Sequence, residues 1–296
     1  MPPTHMNKVA ELYGYPTHQP ADWHNIVDEQ TCHFLNRKCL KNRKSESSIT
    51  IGTCSMSYGQ PSRAIMICPF RLLERRQIFM DCIHLLTLHE PGNELRLIAE
   101  LNVPGGSIDY CLVSVRDGKP RDFVGIELQT LDTTGTVWPE RQRFIKQYGL
   151  PVDDEHVSSP KPFGMNWKMT AKTILMQLNH KIGTFENLQK RFVLVLQDDL
   201  LNYMRREFSF DHVSGQRDGD PMQFHAYELR KDEAAYTLKL KERISTDAAG
   251  IAVSLGLQAD AKVDLDTMLH AIESKLSLRN YLKPTMMRRG GWSDAA

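Results

Sequence analysis

Two periodicities organise the chain. From Pro69, apolar residues recur at helical spacing through Phe70, Leu72 and Leu73 to Ile83, Leu85 and Leu86, and proline suits a first helical position. Beyond the turn Pro91-Gly92-Asn93, residues 95–101 read as a strand, which Pro104-Gly105-Gly106 breaks. Residues 108–115 read as a second strand, Asp117-Gly118 as a hairpin turn, and residues 122–131 as a third strand. The polar stretch 132–164, with Gly, Pro and Asp throughout, predicts a long loop. Residues 165–182 carry Met165, Met169, Ile174, Leu175 and Leu178 near one helical face, and residues 192–196 form a short buried strand. Asp198 or Asp199 caps a helix to Arg206, residues 224–229 and 236–244 alternate like strands, and Asp264 opens a last helix to Leu276. Helix, three meandering strands, helix and returning strand predict an α/β (α+β) fold: a mixed sheet flanked by helices.

Residues 1–68 show little apolar periodicity and need a staple to become ordered. They hold four of the six cysteines, spaced Cys32-x6-Cys39-x14-Cys54-x13-Cys68. In a reducing compartment such a group points to metal rather than disulfides. Four thiolates suit tetrahedral zinc or iron, although the spacing is wider than a C-x2-C knuckle and equally suits buried reduced thiols. Cys82 and Cys111 fall on the predicted helix and strand, as core residues. Arg37, Lys38, Lys41, Arg43 and Lys44 form a basic run that a braced loop would present to phosphates. This divides the chain into a small subdomain (1–68), a main domain (69–283) and a flexible tail (284–296).

Composition narrows the classes. Hydrophobic residues make up 41% and charged residues 25%, which fits a globular protein with a core rather than a disordered one. Lysine and arginine number 37 against 36 acids, so only local clustering bears on partners. No apolar run approaches the ~20 residues of a membrane span, and the N-terminus carries no charged and apolar export pattern, so a cytoplasmic location is expected. The P-loop, H-E-x-x-H and G-x-S-x-G motifs are absent.

The chemistry lies in Ile108-Asp109-Tyr110 and, eighteen residues after Asp109, in Glu127-Leu128-Gln129. Strand side chains alternate, so Glu127 and Gln129 point one way while Ile126 and Leu128 enter the core. The hairpin folds Asp109 back towards Glu127. Two carboxylates and the Leu128 carbonyl form an oxygen-rich pocket suited to Mg²⁺, which activates water and neutralises phosphodiester charge. Gln129 stands where nuclease patterns of the form Asp-x(n)-Glu-x-Lys carry lysine; it carries no charge but hydrogen-bonds water. Glu100 offers a further oxygen. The same acids also suit the edges and turns of ordinary strands.

These residues resemble the NotI-type restriction endonucleases. Thr31-Cys32-His33-Phe34-Leu35, Gly52-Thr53-Cys54 and Ile67-Cys68-Pro69-Phe70-Arg71-Leu72 are similar to that family's metal-binding region. Val124-Gly125-Ile126-Glu127-Leu128-Gln129-Thr130-Leu131-Asp132 with Gly135 resembles its catalytic strand, and Gly164-Met165-Asn166-Trp167 its following helix. The resemblance implies a PD-(D/E)XK nuclease core and a homodimer that cuts palindromic, GC-rich double-stranded DNA with Mg²⁺. It implies a structural metal on Cys32, Cys39, Cys54 and Cys68, iron or zinc. It places Asp109, Glu127 and Gln129 in the catalytic positions, with Glu100 a further acidic match. It also implies a bacterial host with a cognate DNA methyltransferase that is not a physical partner. Expected DNA contacts are Arg141, Gln142, Arg143, Asn166, Lys168, Lys172, Lys41 and Arg43. The competing expectation is a non-catalytic, sequence-specific DNA-binding protein with a metal-braced subdomain.

Overall fold

The computed structural model describes residues 7–159, 162–256 and 269–270. The described residues up to Gly256 fall in one compact unit. The cysteine-bearing segment 1–68 thus packs within the same unit as the strands that follow it. The expected helix from Asp264 falls outside the described residues except for Leu269 and His270, which are helical, and the expected tail lies outside them entirely.

Residues 7–68 are not irregular. Strand β1 (Val9–Leu12) is buried along its whole length and turns through Tyr13-Gly14 into β2 (Tyr15–Pro16). Helix α1 (Trp23–Glu29) is capped by the Asp22 carboxylate, which accepts the Asn25 N–H. Two ribbons follow, β3 (Thr31–Cys32) with β4 (Arg37–Lys38), and β5 (Asn42–Arg43) with β6 (Glu46–Thr50). Then β7 (Thr53–Tyr58) and β8 (Arg63–Met66) complete a four-stranded sheet in the order β2-β1-β7-β8. Short strands buried on both faces show no alternation, which is why periodicity does not reveal them.

The helix expected from Pro69 is broken into pieces. A 3₁₀ segment Pro69–Arg76 is interrupted where Arg75 and Arg76 take positive φ; α2 (Gln77–Met80) and a second 3₁₀ turn, Ile83–Leu85, follow. The apolar side of this segment still covers the main sheet: Leu72, Leu73, Ile78, Phe79 and Leu85 pack on Leu112, Val124, Ile126, Leu128, Val193 and Val195.

The meander follows as expected. Strands β9 (Glu94–Val103), β10 (Gly106–Arg116) and β11 (Lys119–Gln129) run antiparallel, and Asp117 and Gly118 take the positive φ values of a tight hairpin. The stretch expected as a loop contains a ribbon, β12 (Thr133–Thr134) with β13 (Gly164–Met165), and helices α3 (Trp138–Lys146) and α4 (Asp154–Ser158). Helix α3 buries Glu140, Arg141 and Gln142 along with Trp138, Phe144 and Ile145. Its polar residues lie inside, so it lacks the apolar stripe that announces a helix.

Helix α5 (Trp167–Asn187) leads to β14 (Arg191–Gln197), helix α6 (Asp198–Glu207), the short β15 (Ser214–Gly215), β16 (Met222–Lys231), β17 (Tyr236–Thr246) and α7 (Ala248–Ser254). The seven strands lie in the order β15-β17-β16-β14-β11-β10-β9. Strands β11, β14 and β16 are mutually parallel and the other pairs antiparallel, so the architecture is mixed α/β: a mixed sheet flanked by helices. On the second face, Ala171, Ile174, Leu175, Leu178 and Phe185 of α5 and Leu200 and Leu201 of α6 pack on Cys111, Val113, Phe192 and Leu194. Gly125 lets α5 approach: a Cβ there would fall within 2.5 Å of the Phe185 ring.

Candidate functional site

The β10–β11 register pairs Tyr110 with Ile126, so the next step places Asp109 opposite Glu127. Tyr110 and Leu112 pack on the core beneath residues 69–86, whereas Cys111 and Val113 face α5. Asp109 shares the α5 side with Cys111, and Glu127 shares it with Gly125. Glu127 is buried and Asp109 half-buried. Asp109 Oδ2 accepts the Leu128 N–H at 2.8 Å, which ties the two strands at the site. Burial pushes the Asp109 carboxyl up; the Leu128 N–H and the Lys181 charge oppose this, and Glu100 adds to it. Burial also raises Glu127, against a hydrogen bond from Lys181, and the Asp109 charge raises it further.

Lys181, which the sequence reading missed, completes the arrangement. It projects from α5, is 5% exposed and donates from Nζ to Glu127 Oε1 at 2.8 Å. Its stem passes the β9–β10 turn, where a Cβ on Gly106 would touch Lys181 Cε at 3.4 Å. The signal was legible: Ile174, Leu178, Ile182 and Phe185 mark the buried stripe of α5, and a lysine stands within it. A buried ammonium requires an acid. With Oε1 occupied, Glu127 Oε2 is left buried without a hydrogen-bond partner.

Glu100 extends the row. The β9–β10 register pairs Leu101 with Ile108 and Ala99 with Tyr110, which sets Glu100 opposite Asp109. It is exposed and adopts φ +54°, an uncommon conformation for a residue with a side chain. Gln129, half-buried, donates from Nε2 to the Thr130 carbonyl at 2.6 Å, so its amide is turned along its own strand. The Leu128 side chain enters the core and its N–H serves Asp109.

Cys32, Cys39, Cys54 and Cys68 are all buried and free of disulfides. Their thiols lie within electrostatic reach of one another. Cys54 is raised by burial and then by Cys68 and Cys32. Cys68 is raised by burial, and further by Cys39 and Cys32 against Lys41; Cys32 is raised by burial and also by Cys39. Among the described residues, no three His, Cys, Asp or Glu side chains are drawn together as a metal-holding group. The donor types and their burial fit a thiophilic metal; the present side-chain arrangement does not converge on one point.

The expected DNA contacts divide. Arg141 is buried, donates to the Ile51 carbonyl and to the Tyr13 hydroxyl, and stacks on Trp138 at 4.7 Å. Gln142 is buried, and Arg143 is engaged by Glu140 and the Val157 carbonyl. Both arginines are committed within the protein, whereas Gln142 Oε1 is buried without a hydrogen-bond partner. Asn166 precedes α5 and is half-buried, while Lys168 and Lys172 are exposed on that helix. Lys41 donates to the Ile67 carbonyl, and Arg43 stacks on Trp138 beside His156. Arg43, Lys44, Gly135, Trp138 and His156 line a cleft of about 660 Å³. Arg37 acts electrostatically on Tyr110, next to Asp109.

Among the described residues, no helix is long and apolar enough to cross a membrane. No family model matches the chain, and no curated protein matches it.

Proposed function

We propose that this chain is a Mg²⁺-dependent endonuclease with a PD-(D/E)XK core, akin to the NotI-type restriction endonucleases. It hydrolyses double-stranded DNA at a specific palindromic, GC-rich site and works as a homodimer. One observation carries the reading: Asp109 and Glu127, eighteen residues apart in sequence, meet on adjacent strands with a buried carboxylate oxygen left without a partner. Mg²⁺ needs only one or two protein carboxylates and keeps its remaining waters, so the pair suffices. When bound, the ion supplies an activated water and neutralises charge on the phosphodiester.

The protein's own part is to hold the acids. The Leu128 N–H fixes Asp109, and Lys181 fixes Glu127 while favouring its ionised form. Lys181 is a positioning residue, bringing to the site the positive charge that Gln129 lacks. Gln129, on the same side as Glu127, orients water through its amide. In the same reading Cys32, Cys39, Cys54 and Cys68 hold a structural iron or zinc, whose binding would release thiol protons. Lys168, Lys172 and the basic run 37–44 meet the phosphate backbone.

The test is digestion of plasmid DNA by the full chain, with Mg²⁺ and with EDTA, followed by sequencing of the ends. Discrete fragments are expected with Mg²⁺ and none with EDTA. Asp109→Ala and Glu127→Ala should each abolish cutting while preserving specific binding; a variant that cuts at the unsubstituted rate refutes the site. Binding to one duplex sequence with no cutting under any divalent ion would instead identify a DNA-binding module, the reading that Gln129 favours.

A further inference from the structure

We infer that the open edge of β9 is the surface on which a second copy of this chain docks, β9 against β9 in antiparallel pairing, with Ile98 on the two-fold axis. This deepens the proposed function by naming the dimer surface, but it stands on the strand itself.

Strand β9 (Glu94–Val103) ends the seven-stranded sheet, with β10 on one side and, among the described residues, no strand on the other. Such an edge presents a row of backbone donors and acceptors, and proteins blunt these with proline, lysine, bulges or short length. Here the edge is ten residues long and contains neither proline nor lysine. It exposes Leu95 at 39%, Leu97 at 41% and Ile98 at 44%.

The sequence of β9 is self-complementary in one register. Centred on Ile98, antiparallel pairing sets Ile98 against Ile98 of the second copy and Leu97 against its Ala99. Leu95 then meets its Leu101, and Arg96 meets its Glu100, the last contact occurring twice by symmetry. Glu94 falls opposite Asn102, so nearly the whole strand is used. A centre on Leu97 would oppose Glu94 and Glu100, two like charges. A centre on Leu95 pairs Arg96 with Glu94 but engages only the strand's first few residues. Directly opposed residues are the units that stabilise a sheet, and like charges there destabilise it. In the single chain Arg96 leans on Glu94 of its own strand, Nε to Oε2 at 2.9 Å, with both side chains largely exposed. An exposed pair of that kind contributes little and gives way readily to Glu100 of the second copy.

The pairing brings the partner into the site. Arg96 of the second copy stands beside Glu100, the outer member of the row Glu100–Asp109–Glu127. The two rows lie on the same face of the joined sheet. Three strand spacings of ~4.8 Å and a four-residue stagger at ~3.3 Å per residue put Asp109 of the two copies about 20 Å apart. Two sites related by a two-fold axis suit the two strands of a palindrome.

Sedimentation velocity on the full chain at micromolar concentration tests the proposal without DNA. Twice the chain mass is expected. Leu97→Lys and Arg96→Glu should each weaken association at least tenfold, and Arg96→Glu with Glu100→Arg should restore it. Thermal melts confirm that these surface variants fold. A second measurement fixes the register. Ile98→Cys should form an intermolecular disulfide under mild oxidation and Leu95→Cys should not. Both are made in a Cys111→Ser background, because Cys111 pairs with Ile98 within the chain. A monomer, a dimer indifferent to Leu97→Lys, an unrescued charge swap, or equal cross-linking at both positions overturns the proposal. A dimer that fails to cut DNA leaves it standing and removes the nuclease reading; a monomer that cuts does the reverse.

Discussion

His225 shows how far one residue can be bent to the interior. It sits fully buried on β16, its Nε2 3.0 Å from Gln223 Oε1, its Nδ1 3.8 Å from Cys82 Sγ, and its ring stacked against His84. Burial, then Arg243 and His84, push its pKa down to about 3. The unfolded chain binds a proton near pH 6.5, so between about 3 and 6.5 it holds more protons than the native state. Stability from this residue therefore rises with pH across that window and is lost as pH falls. Each pKa unit of difference corresponds to about 1.4 kcal/mol. Asp199, raised to about 6 by burial and by Asp198, contributes the opposite slope, but it does so equally in a variant that lacks only the histidine. Urea unfolding at pH 7 and pH 4.5 should show that His225→Gln loses less stability on acidification than the unsubstituted protein. Equal losses would mean that His225 does not resist protonation in the native state.

At the scale of elements, α5 was legible because one face of it is buried, and the meander because turn residues bound its strands. The turn signals at 91–93, 104–106 and 117–118 marked off β9, β10 and β11, although β9 is exposed, and the observed α5 overlaps the helix expected at 165–182, extending to Asn187. Helix α3 was hidden by its buried arginine and glutamate, and β1 by burial on both faces. The acids Asp109 and Glu127 could be paired from the hairpin turn, a local relation. Lys181 comes from an element fifty-four residues beyond Glu127, and only packing brings it there. Its presence in the apolar stripe of α5 leads to a prediction at this scale. Lys181→Met preserves the stem and removes the charge that lowers Glu127, so the carboxylate should protonate at higher pH. DNA cutting should fall on the order of 10²- to 10³-fold at neutral pH, by comparison with the loss of a single electrostatic contact in an active site. The acid limb of its pH profile should also shift to higher pH. Gln129→Ala should lower the rate without moving that limb. If Lys181→Met loses stability but keeps the original pH profile below its melting temperature, Lys181 is a packing residue alone.

Across the molecule, the first sheet is tied to the far end of the main one through Arg71. Its guanidinium is buried and reaches both Glu11 oxygens on β1 at 2.9 Å, Glu74 at 2.8 Å and the Tyr236 carbonyl on β17 at 2.9 Å. Ser55 on β7 donates to Glu11, the Phe34 ring lies 4.7 Å from the guanidinium, and Glu74 receives the Leu238 N–H. One cation thus joins residues 11, 74 and 236, which explains how the short strands of residues 1–68 share a compact unit with the main sheet. A buried ion pair adds little over an apolar replacement, whereas breaking one strands a charge at a cost of about 3–5 kcal/mol. Arg71→Met should cost about that much, and Glu11→Gln with Arg71→Met should recover a large part of it. Burial already raises Glu11, with Arg71 opposing. Without the arginine, the folded pKa of Glu11 lies further above its unfolded value near 4.3, so the single variant should lose stability as pH rises from about 4 towards 8. Urea unfolding of both variants at pH 5 and pH 8 measures the two effects together. A single variant that costs under about 1 kcal/mol at both pH values would mean that the two sheets are held by apolar packing alone.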